Sequence, residues 1–193
     1  MSADAVLVHR CLTGDAAATR ELVERFAPDV AALCQRILRH RQDAEDVTQE
    51  VFLRVFRSLG KWDASRPLRP WVLGIAVNRC RTALSTRARR PATADFLQET
   101  PDHRPEDDSR DAVREIRVAV DALRDEYREV FILFHEQGQS YEEIALVVER
   151  PVGTVKTWLH RGRLLVLDHL RSVGLMPKDE TQGDERRARH EHQ

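Results

Sequence analysis

Apolar residues recur every three or four positions through most of this chain, a spacing that gathers them on one face of a helix and not on alternate faces of a strand. The first such run predicts a helix over about Ala3 to Thr13, ended by Gly14, with Asp15 placed to cap the next. In that second run Leu22, Val23, Phe26 and Val30 make an apolar face. Pro28 is expected to bend or break it, with a continuation over Asp29–Arg39 turning Leu33, Ile37 and Leu38 inward. Asp43 is the expected N-cap of the longest helix, Ala44 to Leu59, because its carboxylate can accept from first-turn amides while Glu45 and Asp46 favour the positive dipole end. Val47, Val51, Val55 and Leu59 form its inner row with Phe52 and Phe56 alongside, and Gly60 stops it. Lys61 to Pro70, KWDASRPLRP, carries two prolines and predicts a loop. A helix over about Trp71 to Arg87 would then bury Leu73, Ile75, Ala76 and Leu84.

From Ala88 to Ser109 the periodicity vanishes, and Pro91, Pro101 and Pro105 stand among Thr, Asp, Glu and Gln, a composition too polar to pay the entropy of folding. Periodicity resumes at Asp111 with Val113, Ile116, Val120 and Leu123, continues through Val130, Ile132, Leu133 and Phe134, and breaks at Gln137-Gly138. The chain thus divides into a helical domain over 1–87, a flexible linker over 88–110, a second helical domain over 111–176 and a charged, aperiodic tail over 177–193. The fold class is all-α: two small helical domains joined by a flexible acidic, proline-containing linker.

The second domain carries the sharpest local signal. Ser140-Tyr141-Glu142-Glu143 is a capping box that opens a short helix with Ile144, Ala145 and Val148 inward. Glu149-Arg150-Pro151 is a tight turn, and a second helix starts near Val152 with Val155, Leu159 and Leu164 or Leu165 inward. Helix, three-residue turn, helix is the spacing of a helix-turn-helix, whose second helix enters the DNA major groove. Thr154, Lys156, Thr157, His160, Arg161 and Arg163 on that helix offer donors to bases and phosphates, and no acid lies between Arg150 and Arg163.

Composition changes the picture only through distribution. Hydrophobic residues at 41% and charged residues at 33% suit a soluble helical protein, and the formal net charge of -1 is a poor advertisement for a nucleic-acid binder. The charge is segregated, however. Arg79, Arg81, Arg87, Arg89 and Arg90 fill 78–90 without an acid, whereas Glu99, Asp102, Glu106, Asp107, Asp108 and Asp111 dominate 99–111. No apolar run is long enough for a membrane span, and MSADAVLVHR does not read as a leader, so a cytoplasmic protein without membrane insertion is expected. Cys11, Cys34 and Cys80 have no C-x-x-C spacing and are expected to be buried thiols, with no metal site. No H-E-x-x-H, phosphate-binding glycine loop or nucleophile motif is present, so no catalytic residues and no cofactor are expected and the protein is not read as an enzyme.

Four stretches resemble the bacterial RNA polymerase sigma factors of the extracytoplasmic-function (ECF) group, within the sigma-70 family. Asp43-Ala44-Glu45-Asp46-Val47-Thr48-Gln49-Glu50-Val51-Phe52-Leu53-Arg54 is similar to the family's D-A-E-D-x-x-Q-E-x-F-L-R motif, and Pro70-Trp71-Val72-Leu73-Gly74-Ile75-Ala76-Val77-Asn78 to its P-W-L-x-x-I-A-x-N motif. Leu123–Phe131 resembles the opening of its second domain, and Ser140 to Arg161 its helix-turn-helix. The resemblance implies a region 2-like first domain that binds core RNA polymerase and reads the promoter minus-ten element, and a region 4-like second domain that reads the minus-thirty-five element. Such a factor directs promoter-specific initiation in response to a stress or envelope signal.

By the same resemblance Asp46, Gln49, Glu50, Leu53 and Arg54 would touch the polymerase, and Asp46, Glu50 and Arg54 do share a face if the valine row is buried. Trp62 would stack an unstacked minus-ten base, with Lys61, Arg66 and Arg69 for phosphate and Asn78 and Arg79 on the following helix. From the residues alone Trp62 serves equally as a core side chain, and Trp71 reads as core. Trp158 departs from the family, which often has arginine there, so one phosphate or base contact is either missing or replaced by packing. The linker would let both domains bind at once, and its acidic run either mimics DNA in the polymerase channel or keeps the segment soluble. The implied partners are core RNA polymerase, promoter DNA and an anti-sigma factor of the kind that commonly masks both domains. The alternative is a stand-alone helix-turn-helix repressor or activator, which leaves the acidic helix and the loop after Gly60 without a task.

Overall fold

The computed structural model describes residues 2–89 and 108–177. Eight α-helices follow one another: α1 Ala3–Leu12, α2 Ala16–Leu38, α3 Arg41–Ser58, α4 Leu68–Arg89, α5 Asp108–Ala122, α6 Asp125–His135, α7 Tyr141–Val148 and α8 Val152–Ser172, with a short 3-10 turn at Leu59–Lys61. Among the described residues there is no strand, as an all-α reading requires. In the first half α2, α3 and α4 pack on one another and α1 lies on α2; in the second, α8 is the axis against which α5, α6 and α7 pack.

Local chemistry sets most boundaries. Asp15 caps α2 by accepting from the amides of Ala17 at 2.8 Å and Ala18 at 3.1 Å, and these amides together with the Arg10 guanidinium hold its carboxyl below the usual range. Pro28 neither breaks α2 nor starts a new helix. A proline inside a helix costs about 3 kcal/mol, whereas burying Leu22, Phe26, Val30, Leu33 and Ile37 on that same helix returns roughly 1.5–3 kcal/mol each. Packing wins. Similarly α3 begins at Arg41, two residues before the expected Asp43 cap, because extended His40 presents Nδ1 to the Asp43 amide at 3.3 Å. Asp43 then sits in the first turn, its carboxylate 3.4 Å from His40 and 3.5 Å from Arg87. The loop after Gly60 is also shorter than expected, since α4 starts at Leu68. Pro70 fits in its first turn, where a missing N–H forfeits nothing, and Asp4 accepts from the free Leu68 amide at 3.3 Å.

The core contains the expected Val47, Val51, Val55, Leu59, Leu73 and Ala76, and the Cys34 and Cys80 thiols, which share a hydrogen bond at 3.6 Å. That bond and burial keep the Cys80 thiol protonated. Cys11 is only half-buried. Two apolar expectations fail. On α8 the buried face is Val155, Leu159, Gly162, Val166 and Leu170, while Leu164 and Leu165 flank it and are exposed. On α5 the last turns enter the core through Ala119 and Val120, followed by Leu123, whereas Val113 is 59% exposed and Ile116 lies outward. The single run expected from Asp111 to Phe134 is two helices, parted at Leu123-Arg124. Most of the expected linker, including the acidic run over 99–107, and the tail beyond 177 lie outside the described residues.

Candidate nucleic-acid and polymerase interfaces

In the second half the helix-turn-helix is built as its sequence requires. Ser140 Oγ accepts from the Glu143 amide at 3.1 Å and Glu143 Oε2 accepts from the Ser140 amide at 2.8 Å, completing the capping box. Glu149 takes a left-handed backbone at φ 56°, and the amides of Glu149 and Arg150 return to the Ala145 carbonyl. Pro151 then precedes the first turn of α8. Val155 and Leu159 anchor this helix, and the intervening positions present Lys156, Thr157, His160 and Arg161 to solvent on one acid-free surface.

The remaining candidates, Thr154 and Arg163, are less open, and Arg161 and Lys156 also touch neighbouring side chains. Thr154 is half-buried. Arg161 donates to the Tyr127 hydroxyl at 3.4 Å, and Lys156 lies 5.5 Å from the Tyr141 ring centre. Arg163 turns back, donating from Nε to His135 Nε2 at 3.1 Å and lying over Phe134. For His135 to accept, that nitrogen must be unprotonated; partial burial first, and the Arg163 charge next, push its pKa below the usual histidine value. Trp158 packs half-buried against the core.

On α3 the side chains of Asp46, Gln49, Glu50, Leu53 and Arg54 are all exposed, opposite the buried valine row. Leu53 is 58% exposed, an apolar side chain that the fold itself does not use. Glu50 pairs with Arg79 of α4, so one expected polymerase contact and one expected DNA contact hold each other. Beside this face an open groove of about 670 Å³ runs between α2 and α3, lined by Ala31, Ala32, Gln35, Arg41, Ala44, Glu45, Thr48 and Gln49. Ala31, Ala32 and Gln35 were not among the sequence-derived candidates. Their signal was a pair of small residues on the outer side of an amphipathic helix, which by itself points to nothing.

The loop before α4 separates its candidates. Lys61 and Arg66 are exposed, and Arg66 lies 3.5 Å from Asp63, whose carboxyl is held low by the Ser65 amide and hydroxyl. Trp62 is only 9% exposed; its ring is packed in the core, and Nε1 is buried without a protein acceptor. Arg69 points away from both, bonding Asp29 at 2.7 Å and the Gln137 carbonyl of the second half at 2.8 Å. Asn78 is exposed and accepts from Arg81 at 3.5 Å.

Comparison with known proteins joins these surfaces. The Sigma-70 region 2 family matches residues 22–90, and the Sigma-70, region 4 family matches residues 113–166. The chain is 31% identical to the RNA polymerase sigma-H factor of Pseudomonas aeruginosa over 173 residues, covering 83% of this chain and 90% of that one. It is likewise 31% identical over 173 residues to the ECF RNA polymerase sigma-E factor of Escherichia coli, with 83% and 90% covered. With the ECF RNA polymerase sigma factor SigE of Mycolicibacterium smegmatis it shares 35% over 169 residues, 82% of this chain and 65% of the relative. The fold is similar to that of CnrH, solved in complex with the cytosolic domain of CnrY, with TM-score 0.69 at 24% identity, covering 89% of this chain and 99% of that one. It is also similar to RpoE from Bartonella quintana, solved with the anti-sigma factor NepR, with TM-score 0.66 at 20% identity and 79% and 96% covered. This chain belongs to the sigma-70 family, in its extracytoplasmic-function group of RNA polymerase sigma factors.

Proposed function

We propose that the protein binds core RNA polymerase through α3 and directs promoter-specific initiation, its two halves gripping separate promoter elements. The observation that carries this reading is the coexistence in one chain of an acid-free helix-turn-helix surface and a separate exposed face centred on Leu53. A DNA-binding helix alone needs no second face of that kind. Asp46, Gln49, Glu50, Leu53 and Arg54 take the polymerase role, with the groove beside Gln49 giving a partner helix somewhere to lie. Lys156, Thr157, His160 and Arg161 read the minus-thirty-five duplex, with Thr154 and Arg163 supporting at its edge.

Lys61, Arg66, Asn78 and Arg79 make up the minus-ten surface, where phosphate contacts position the strand, and Arg69 joins them on leaving Asp29 and Gln137. Trp62 offers an aromatic face beside them once the loop rearranges, since a stacked base needs its ring uncovered. An anti-sigma factor is a proposed partner, as the similar Bartonella protein was solved with one. Work on promoters places the protein in the cytoplasm, and no described helix is long and apolar enough to cross a membrane. A stand-alone repressor or activator explains the second half only. The decisive assay is retention of the purified chain by core RNA polymerase: co-elution supports the reading, and independent migration together with tight duplex binding by the free chain supports the rival.

A further inference from the structure

Two thiols meet in the interior of the first half. Cys34 of α2 and Cys80 of α4 are both fully buried, and the Cys80 thiol donates to Cys34 Sγ at 3.6 Å. Apolar packing alone asks for no such contact, because a free cysteine serves a core singly as a small hydrophobe. The two sulfurs also have unlike surroundings. The Cys80 S–H and the Thr48 hydroxyl of α3 both lie at Cys34, and together they favour its thiolate in spite of burial. Cys80 is kept a thiol by the bond it donates, by burial, and by Glu129, whose carboxylate Arg81 holds at 2.9 and 2.5 Å. A readily ionised sulfur beside a protonated one is the arrangement of an attacking and a resolving cysteine. Thr48 also lines the groove between α2 and α3, which makes that cleft the short way in to Cys34 for a small molecule.

We propose that Cys34 and Cys80 form an oxidant-responsive site, which hydrogen peroxide converts to an intrachain disulfide stapling α2 to α4 and a thiol reductant reopens. The Cys34 thiolate attacks one peroxide oxygen and the O–O bond breaks. The departing hydroxide recovers the proton that Cys34 gave up and leaves as water. Cys34 is then a sulfenic acid. The Cys80 sulfur attacks it, the S–O bond breaks, and hydroxide leaves with the Cys80 proton as a second water. The two thiols thus lose two electrons and two protons, and one peroxide is reduced to two waters. Bond formation draws the sulfurs together from 3.6 Å, an approach of about 1.5 Å shared between two side chains and their helices. The bridge spans 46 residues and encloses the whole of α3, so it restricts the opening of all three packed helices. A compartment kept reducing holds the pair as thiols between exposures to oxidant.

The test uses the full chain carrying Cys11→Ser, which removes the half-buried third cysteine and leaves the pair as the only thiols. The folded protein, reduced and freed of reductant, is exposed to hydrogen peroxide, then alkylated in denaturant and read by intact mass and peptide mapping. The expected result is loss of two hydrogens, a linked Cys34–Cys80 peptide, and return of both thiols after dithiothreitol. The bridged form is expected to melt about 5–10 °C above the thiol form. Two further variants separate the roles. Cys80→Ser keeps a donor to Cys34 but cannot resolve, so oxidation should stop at a Cys34 sulfenic acid that dimedone traps. In Cys34→Ala, Cys80 should stay unoxidised. Two free thiols after peroxide overturn the proposal, as does a bridge that appears only once urea has opened the chain. A bridged form that melts no higher than the thiol form overturns it as well. Should either of the further variants fail to fold, the peptide map of the Cys11→Ser chain decides alone.

Discussion

Lys156 and Arg161 face solvent from one side of α8, five residues apart, while Val155 and Leu159 between and beside them hold that helix in place. Truncating Lys156 removes charge without touching the core and should leave the melting temperature nearly unchanged, whereas Arg161→Ala also gives up the 3.4 Å bond to the hydroxyl of buried Tyr127 and should cost about 1 kcal/mol of stability besides. A lost base contact weakens binding to the cognate minus-thirty-five duplex by about 1–3 kcal/mol, or roughly tenfold to a hundredfold. Loss of a phosphate contact instead lowers affinity evenly across sequences and reduces the salt slope by about one. Anisotropy titrations at several salt concentrations tell the two apart. At His135 the prediction concerns pH. Its folded pKa lies below the ordinary value of 6.5, so the unfolded chain takes up the proton first and stability falls as pH drops below about 6.5. The melting temperature of the parent should therefore fall more steeply between pH 7.5 and 5.5 than that of His135→Gln, which keeps an acceptor for Arg163 but does not titrate. Parallel pH profiles would contradict this.

Helix α7 is the element most exposed to a single loss, because it is short and its start depends on the Ser140–Glu143 box. Ser140→Ala should cost about 1 kcal/mol, a fall of roughly 2–4 °C in melting temperature, measured by calorimetry. This cap was legible in the sequence because both partners lie within one turn of each other. The same holds for Asp15 and for the valine row of α3. What the sequence misplaced depended on contacts beyond one turn. Pro28 is carried by core packing from both sides of it, and α4 begins early because Asp4, distant in the chain, satisfies the Leu68 amide. Leu164 and Leu165 looked as apolar as Val166, and only the direction from which α5, α6 and α7 approach α8 decides which of them is buried.

At the scale of the molecule, the two halves share a connected buried core and a seam of arginine pairs. The candidate DNA and polymerase residues were legible from motif order, but their present state was not. That Arg69 is bound to Gln137, that Arg79 is bound to Glu50 and that Trp62 is packed inward are consequences of which surfaces meet. Arg81→Ala would strand the buried Glu129 carboxylate, an arrangement costing about 3–5 kcal/mol if nothing moved. Opening the seam lets that carboxylate reach water for less. Hydrogen exchange should therefore show faster exchange along α4, α6 and α7 in Arg81→Ala than in the parent, with α3 unaffected.

The central claim is that this chain programmes RNA polymerase by holding it through α3 while its two halves hold promoter DNA. Run-off transcription with core polymerase on a library of candidate promoters tests it directly, comparing the parent with Leu53→Asp, a change at an exposed position. Discrete new start sites with the parent, lost or cut at least about tenfold with Leu53→Asp although the variant melts at the same temperature, are the predicted result. Transcripts unchanged by adding the parent protein would contradict it.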